Sequence, residues 1–413
     1  MLVLCLNHKV QNCGVYQYGY RLFQIIQKST LHQYVYAEIE SLEEYFRVLS
    51  QHRPTIIIYN YHASTMPWLN RDTIFSQHVV NIGIAHESSD SFFDVALNID
   101  PDAPEKDNTI SIPRPIYENI EELQQQTLAM DPSVKGFIDY NEGPDVPIYG
   151  SFGFGFLNKG FDKIVRLINS THPQQRAIIK LVITFAHFDP NREHNIATVN
   201  RLCQQINKNP NIKLLIRNDF FSNEEIMLFL ASNTANVFLY DLMEGRGISS
   251  VIDYAISAKK PFVISNSHMF RNIYSDAICV FRTPLQQAIE HCKQFLPTFL
   301  EKYSHQKMIQ KVDHVITRIE SNMSFVTNLR QAFYGNPASR FPVKPNATIE
   351  MKKIYFGYVF HQNNPFLVCN QHFGDPCVGI RKRLFLTFAP SNRTVTAEEG
   401  DHLEWSNLLQ KIQ

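Results

Sequence analysis

Short apolar runs rich in β-branched residues alternate along this chain with longer stretches whose apolar residues fall three and four apart. Leu2 to Leu6 is the first run. It leads into Asn7-His-Lys-Val-Gln-Asn-Cys-Gly14 and then a segment with Leu22, Ile25 and Ile26 on one helical face. Tyr34-Val-Tyr36 predicts a second strand, and Pro54-Thr-Ile-Ile-Ile-Tyr-Asn60 and Val79-Val-Asn-Ile-Gly-Ile-Ala85 predict two more. Between them Ser41 opens a helix through Leu49, with Glu44 placed for a capping box. Strand and helix in alternation, with strands apolar on both faces, predict a parallel, doubly wound sheet. Ligands of such sheets gather beyond the strand C-termini. That rule singles out Gly14, His62, His86 and Glu87.

From Asn98 to Asp145 the chain is richer in Pro, Asp and Glu, and a domain boundary is placed there. A second series begins at Pro147-Ile-Tyr149, followed by the glycine loop Gly150-Ser-Phe-Gly-Phe-Gly155 and a helix from Lys159-Gly-Phe-Asp-Lys-Ile-Val165. Ile178 to Thr184, Ile212 to Ile216, Val237 to Tyr240 and Pro261 to Ile264 are four more strands, and Ser222-Asn-Glu-Glu225 is a capped helix start. After Pro284 the pattern is helical to about Asn328. Tyr334-Gly-Asn-Pro-Ala338 and Phe341-Pro-Val-Lys-Pro345 read as a linker, and Ile354 to Phe360, Phe366 to Val368 and Leu384 to Phe388 read as strands without helices. The predicted domains are 1–145, 146–330 and a small β-rich module at 345–413, docked on the rest because so short a chain buries little core alone.

Composition narrows the classes. Apolar residues make up 44% of the 413, and Lys plus Arg equals Asp plus Glu at 39 each, which argues against a general nucleic-acid binder. The seven cysteines form no close pair and suit reduced thiols in a cytoplasmic protein. Cys369, His372 and Cys377 lack paired zinc spacing, so no metal site is expected. The amino-terminal apolar run is too short for a signal core, and no apolar stretch reaches the roughly 20 residues that span a bilayer. Arg381-Lys-Arg383 could touch an anionic partner, and peripheral membrane contact is compatible with the chain, although a solvated strand edge explains these charges better.

The stretch Asp241-Leu-Met-Glu-Gly-Arg-Gly247 followed by Ile248, Ser249 and Ser250 places glycines between a strand and a helix. Backbone N–H groups at such a helix start can hold a phosphate. An ordinary connection capped by its own serines is the alternative. A dinucleotide enzyme fits less well, because no strand is followed by a clean GxGxxG and a later acidic residue.

Taken with Gly150-Ser-Phe-Gly-Phe-Gly-Phe-Leu-Asn-Lys-Gly-Phe161, this stretch gives the chain a resemblance to the GT-B glycosyltransferases, similar to glycosyltransferase family 4, over roughly residues 1 to 325. Cys13-Gly-Val-Tyr-Gln-Tyr-Gly-Tyr-Arg-Leu22 resembles the family's Gly-Gly-Val loop and helix. Lys159-Gly160 resembles the Lys-Gly whose lysine binds the donor diphosphate. Gly247 to Pro261 resembles the helix that holds the nucleotide sugar's phosphates and ribose. The family's pair of glutamates eight positions apart is not reproduced: Glu244 matches the first in one register, and Asp253 lies between the candidate second positions. Ser151 stands where the family often has an arginine, for which Arg246 or Arg217 could substitute.

The resemblance implies two tandem Rossmann-like domains facing a cleft, with transfer of a hexosyl-type group from a nucleotide-diphosphate sugar to a hydroxyl or glycan acceptor. It implies retention at the anomeric carbon and neither metal nor cofactor. Lys159, Arg246, Gly247, Ile248, Ser249 and Ser250 would hold the diphosphate, and Gly14 would let it approach. Glu244 or Asp253 would take the ribose, the base would rest near Asn218 to Phe221, and His86 would orient the sugar. Growing charge on the departing diphosphate is what such a site must stabilise. Without its glutamate pair the chain could instead be a nucleotide-sugar or glycan binding protein that has lost catalysis.

Overall fold

A computed structural model describes residues 1–75, 79–86, 92–126, 130–186, 188–335, 346–363, 365–373, 382–389 and 393–412. Two compact units divide the chain, the first made of residues 1–113 and 308–413 and the second of residues 114–307. The first crossing comes well before residue 145. Ile116, Ile120, Leu123, Val134, Phe137 and Ile138 all bury in the second unit's core.

In the first unit, β1 (Leu2–Asn7), β2 (Gln33–Glu38), β3 (Ile56–Tyr59), β4 (Val80–Ala85), β5 (Val95–Asn98) and β6 (Thr109–Ser111) form one sheet in the order β2-β1-β3-β4-β5-β6. Every pairing is parallel. Strand residues alternate between its faces: Val3, Cys5, Ile56 and Ile58 enter one core cluster, while Leu4, Leu6, Ile57 and Tyr59 enter another. Burial on both faces explains why these strands are apolar throughout. Ser41 Oγ accepts from Glu44 N at 3.3 Å at the start of the helix Leu42–His52. The Glu44 carboxylate reaches back to Glu40 N at 3.0 Å, one residue further than a capping box requires.

The second unit holds β7 (Ile148–Phe154), β8 (Ala177–Thr184), β9 (Ile212–Arg217), β10 (Ala235–Phe238) and β11 (Phe262–Ile264), parallel in the order β11-β10-β7-β8-β9. The segment expected as a glycine loop continues as strand to Phe154, because β7 is central and pairs with β8 along its whole length. Sheet pairing outweighs the weak strand preference of glycine there. Ser222 and Glu225 complete the predicted capping box.

The chain returns to the first unit within the helix His305–Glu320, whose Met308, Val312, Val315, Ile316 and Ile319 join the first unit's core. Beyond it lie β12 (Leu329–Gly335), β13 (Phe366–Leu367), β14 (Arg383–Phe388), β15 (Arg393–Glu398) and β16 (His402–Leu403). β12, β14 and β15 make a three-stranded antiparallel sheet, and β13 pairs with β16. The expectation of strands alone is corrected here: Ile354 to Phe360 lies in the helix Asn346–His361. Its Met351, Tyr355 and Val359 are buried four apart, and that helical period overrides an aromatic, β-branched composition. Buried Trp405 meets Tyr355, Phe366 and Phe325 at ring distances of 5.0, 5.1 and 5.2 Å. This carboxy-terminal part shares one continuous core with a face of the first sheet.

Candidate functional site

Each parallel sheet reverses its winding once, and the crevice at that switch is where α/β proteins bind ligands. In the first unit the reversal falls between β1 and β3, and in the second between β7 and β10.

At the second switch point, β7 ends in a single 3-10 turn, Leu157–Lys159, and Gly160 follows with φ of +65°. A Cβ at Gly160 would stand 1.9 Å from Leu239 O, so the close approach of the two loops as well as the left-handed backbone demands glycine. Asn158 O accepts Asp241 N at 2.9 Å, and Ser265 Oγ and Ser267 Oγ donate to the carbonyls of Tyr240 and Asp241 at 2.6 and 2.7 Å. The crevice walls are therefore tied together. Within them Lys159 Nζ sits 3.9 Å from the centroid of the Tyr240 ring.

Burial pushes the Lys159 ammonium down to about 8, and the like charge of Arg246 acts in the same direction. Among the described residues no carboxylate pairs with Lys159, whereas neighbouring Lys163 is paired with Asp241. Lys180 offers a contrast. Burial also lowers it to about 8, but its Nζ donates to Ile138 O at 2.7 Å, a partner inside the fold. Burial of the Tyr240 phenol raises it well above the ordinary tyrosine range, with Ser249 opposing. Lys159 is thus a desolvated cation near a second positive charge, and an anion would balance it.

Three sequence expectations about this loop change. The helix after it, Val251–Ser257, has only seven residues, Ser250 gives it no side-chain cap, and Ser249 N donates to Met269 O at 3.0 Å. The Ser249 amide is thus engaged inside the protein and is not turned to a phosphate. Ile248 is buried beside it, and Gly247 and Ser250 are partly buried. Asp253 is fully buried, and both its oxygens accept from Arg114, from Nε at 2.9 Å and from Nη2 at 2.7 Å. It braces the fold and does not present a carboxylate to ribose. Arg217 is bound to Asp219 and to Ser133 Oγ, which leaves Arg246 as the cation beside Lys159. Glu244 is exposed on the turn that includes Gly245, whose φ is +71°. Asn218 Nδ2 donates to Ile183 O at 2.8 Å, and its Oδ1 accepts from Asn200 at 2.8 Å.

The first switch point is filled by amides. Asn60 Nδ2 donates to Asn7 Oδ1 and to Val15 O, both at 2.7 Å, and Asn7 Nδ2 donates to Tyr16 O and Tyr36 Oη, both at 3.0 Å. With the Asn60 amide nitrogen so placed, its Oδ1 accepts, and His86 Nε2 donates to it at 2.6 Å. The imidazole also meets the Tyr18 ring edge-on at 5.1 Å. Gly19 packs so closely on Asn60 that a Cβ would lie 2.3 Å from its amide nitrogen. Gly14 is exposed at the first position of the helix Gly14–Ile26. His62 Nδ1 is 2.7 Å from Ser64 Oγ in a local turn. Glu87 lies outside the described residues.

Sequence reasoning missed Asn7, Asn60, Tyr240 and Arg114. The two asparagines had a signal, since each directly ends a buried apolar strand at the side where ligands collect. Arg114, between two prolines, had none, because its partner is 139 residues away. Six cysteines are free, Cys377 lies outside the described residues, and no metal-binding group of His, Cys, Asp or Glu occurs among the described residues. Nor, among those residues, is any helix long and apolar enough to cross a membrane.

Two parallel Rossmann-like sheets in tandem, each with its switch-point crevice, define the GT-B fold of glycosyltransferases, here extended by an antiparallel carboxy-terminal sheet. Solved structures show the same likeness. A glycosyltransferase from Rickettsia africae superposes with a TM-score of 0.54 at 11% identity, covering 78% of this chain and 99% of its own. An α,α-trehalose-phosphate synthase (UDP-forming) from Burkholderia vietnamiensis gives 0.52 at 11% identity, over 78% and 97%. The N-terminal domain of a Candida albicans trehalose-6-phosphate phosphatase gives 0.52 at 8% identity, over 78% and 96%. No protein-family model matches the chain, and no curated protein matches it by sequence.

Proposed function

We propose that the protein is a glycosyltransferase whose second unit holds a nucleotide-diphosphate sugar by its diphosphate and whose reaction moves a hexosyl group to a hydroxyl acceptor. The observation that carries this reading is Lys159: a desolvated ammonium at a topological switch point, beside a second cation and with no carboxylate partner among the described residues. A diphosphate supplies the missing negative charge. As the glycosidic bond breaks, further charge grows on that diphosphate, and Lys159 and Arg246 oppose it in a site already arranged to do so. Two cations make a bound metal unnecessary to this step, and the family resemblance adds retention of configuration.

Of the two carboxylates considered for ribose, Glu244 is the exposed one. In the first unit, the Asn7–Asn60–His86 cluster is the candidate acceptor side. There His86 Nε2 is held by Asn60 Oδ1, which fixes the orientation of the ring.

A panel of UDP-, GDP- and ADP-sugars, offered to purified protein with and without EDTA, tests the reading. At least one donor should raise the melting temperature, and its nucleoside diphosphate should be released faster when an acceptor mixture is present. If no donor shifts the melting temperature, the donor-site reading fails. A donor that binds but never turns over leaves a binding protein.

A further inference from the structure

The ring beneath Lys159 does more than fill the core. Tyr240 follows β10 closely and is buried, and its carbonyl oxygen accepts Ser265 Oγ at 2.6 Å, which fixes the backbone that carries the ring. The ring packs on fully buried Phe270 at 4.9 Å, and its hydroxyl reaches β7, where a Cβ added at Gly153 would stand 3.5 Å from it. Tyr240 therefore bridges the switch point from β10 to β7. Over its face lies the Lys159 ammonium, 3.9 Å from the ring centroid and well inside the roughly 6 Å at which an aromatic quadrupole attracts a cation. Burial raises the phenol well above the ordinary tyrosine range, so the ammonium meets a neutral π face and not a phenolate. The neighbouring charges act otherwise: that of Arg246 opposes the ammonium, Asp241 is paired with Lys163, and Glu244 is exposed.

We propose that Tyr240 is a positioning residue for donor binding: the face of its buried ring supports the Lys159 ammonium and holds it at the switch point, charged and in place, before the diphosphate arrives. The inference rests on the donor reading above and goes beyond it by naming what keeps the cation ready. Lysine carries its charge on a flexible stem and loses its proton readily when buried. A carboxylate partner would prevent both losses, as Asp241 does for Lys163, but it would also neutralise the charge and compete with the diphosphate. An aromatic face offsets part of the lost hydration and leaves the positive charge unneutralised.

Two readouts decide the matter: calorimetric affinity for UDP-, GDP- and ADP-glucose at about pH 8, where the Lys159 ammonium titrates, and the titration midpoint of Lys159 followed by NMR. They are taken on wild type, Lys159→Met, Tyr240→Phe, Tyr240→Leu and proteins carrying mono-, di- or trifluorinated phenylalanine in place of Tyr240. Fluorine drains negative charge from the ring face step by step and changes its size little, so the fluorinated series keeps the fold even where Tyr240→Leu does not. Tyr240→Phe should hold donor affinity within about threefold of wild type, and each added fluorine should lower affinity and midpoint together. Tyr240→Leu should weaken donor binding by roughly 3- to 30-fold and move the midpoint down by about 0.5 to 1.5 pH units. A ring that only packs would leave affinity and midpoint level along the fluorinated series, and that result overturns the proposal. Loss of affinity in Tyr240→Phe as large as in Tyr240→Leu would assign the effect to the hydroxyl and overturn it too. If no donor binds wild type, the donor reading fails and the role of Tyr240 falls with it. If a donor binds and Lys159→Met weakens it while the fluorinated series stays level, only the assignment of Tyr240 fails.

Discussion

The two switch points occupy the same place in their sheets and are furnished in opposite ways. Between β1 and β3, amides and an imidazole satisfy one another: Asn7, Asn60 and His86 exchange hydrogen bonds of 2.6 to 3.0 Å with each other and with nearby carbonyl and hydroxyl oxygens. Between β7 and β10, the charge of Arg246 acts against that of Lys159, and the ammonium lies over the Tyr240 ring with no carboxylate partner among the described residues. A closed hydrogen-bond network stabilises its own geometry. A desolvated ammonium raises the energy of the free protein, and a bound anion lowers it again. Fold position nominates a crevice, and a desolvated cation without a carboxylate marks the crevice suited to an anionic ligand.

The largest effect should come from a residue that sequence placed in the site and the structure removes from it. Asp253→Ala leaves Arg114 buried without its carboxylate and should lower unfolding stability by about 3 to 5 kcal/mol, read from urea midpoints. Were Asp253 a ribose ligand, stability would hold and nucleotide affinity would fall. Next, Lys159→Met should weaken binding of nucleotide-diphosphate sugars by roughly 30- to 150-fold, the value of about 2 to 3 kcal/mol expected for charge-assisted contacts. Its melting temperature should not fall, because the substitution relieves an unpaired charge; a fall of several degrees would make Lys159 structural. Asn60→Ala should cost the first unit about 1 to 3 kcal/mol by stranding Asn7, Val15 O and His86, with nucleotide affinity unchanged. A drop in donor affinity without loss of stability would erase the contrast between the crevices. Smallest is Glu244→Gln: an exposed carboxylate on a turn should change stability by less than about 0.5 kcal/mol, so any larger fall in donor affinity reports a ribose contact directly.

Much of the fold was legible because strands buried on both faces leave unbroken apolar runs, as in Ile56–Tyr59 and Ala177–Thr184. Failures came where long-range contacts decide. Ile354 to Phe360 has strand-like composition and becomes helix because one helical face packs on Phe325 and Trp405. Gly150 to Phe154 has loop composition and becomes strand because it sits mid-sheet between β8 and β10. Within the site, Lys159 and Gly160 could be found from their adjacency after a strand, since that motif is local. The fate of Asp253 could not, because its burial depends on Arg114 across 139 positions, and neither could the use of the Ser249 amide by Met269.

Donor affinity measured against pH in wild type and Lys159→Met tests the central claim most directly. In the free protein the Lys159 ammonium is held down to about 8 by burial and by Arg246, and a bound diphosphate must raise it. The charged form binds better, so affinity for a nucleotide-diphosphate sugar, whose diphosphate does not titrate in this range, should be level below about pH 7 and decline as pH rises through 8. The decline should be no steeper than about tenfold per pH unit, with proton uptake on binding near the midpoint. Lys159→Met should bind weakly with a flat profile over the same range. Equal affinities and parallel profiles in the two proteins would contradict the assignment of Lys159 to the donor diphosphate.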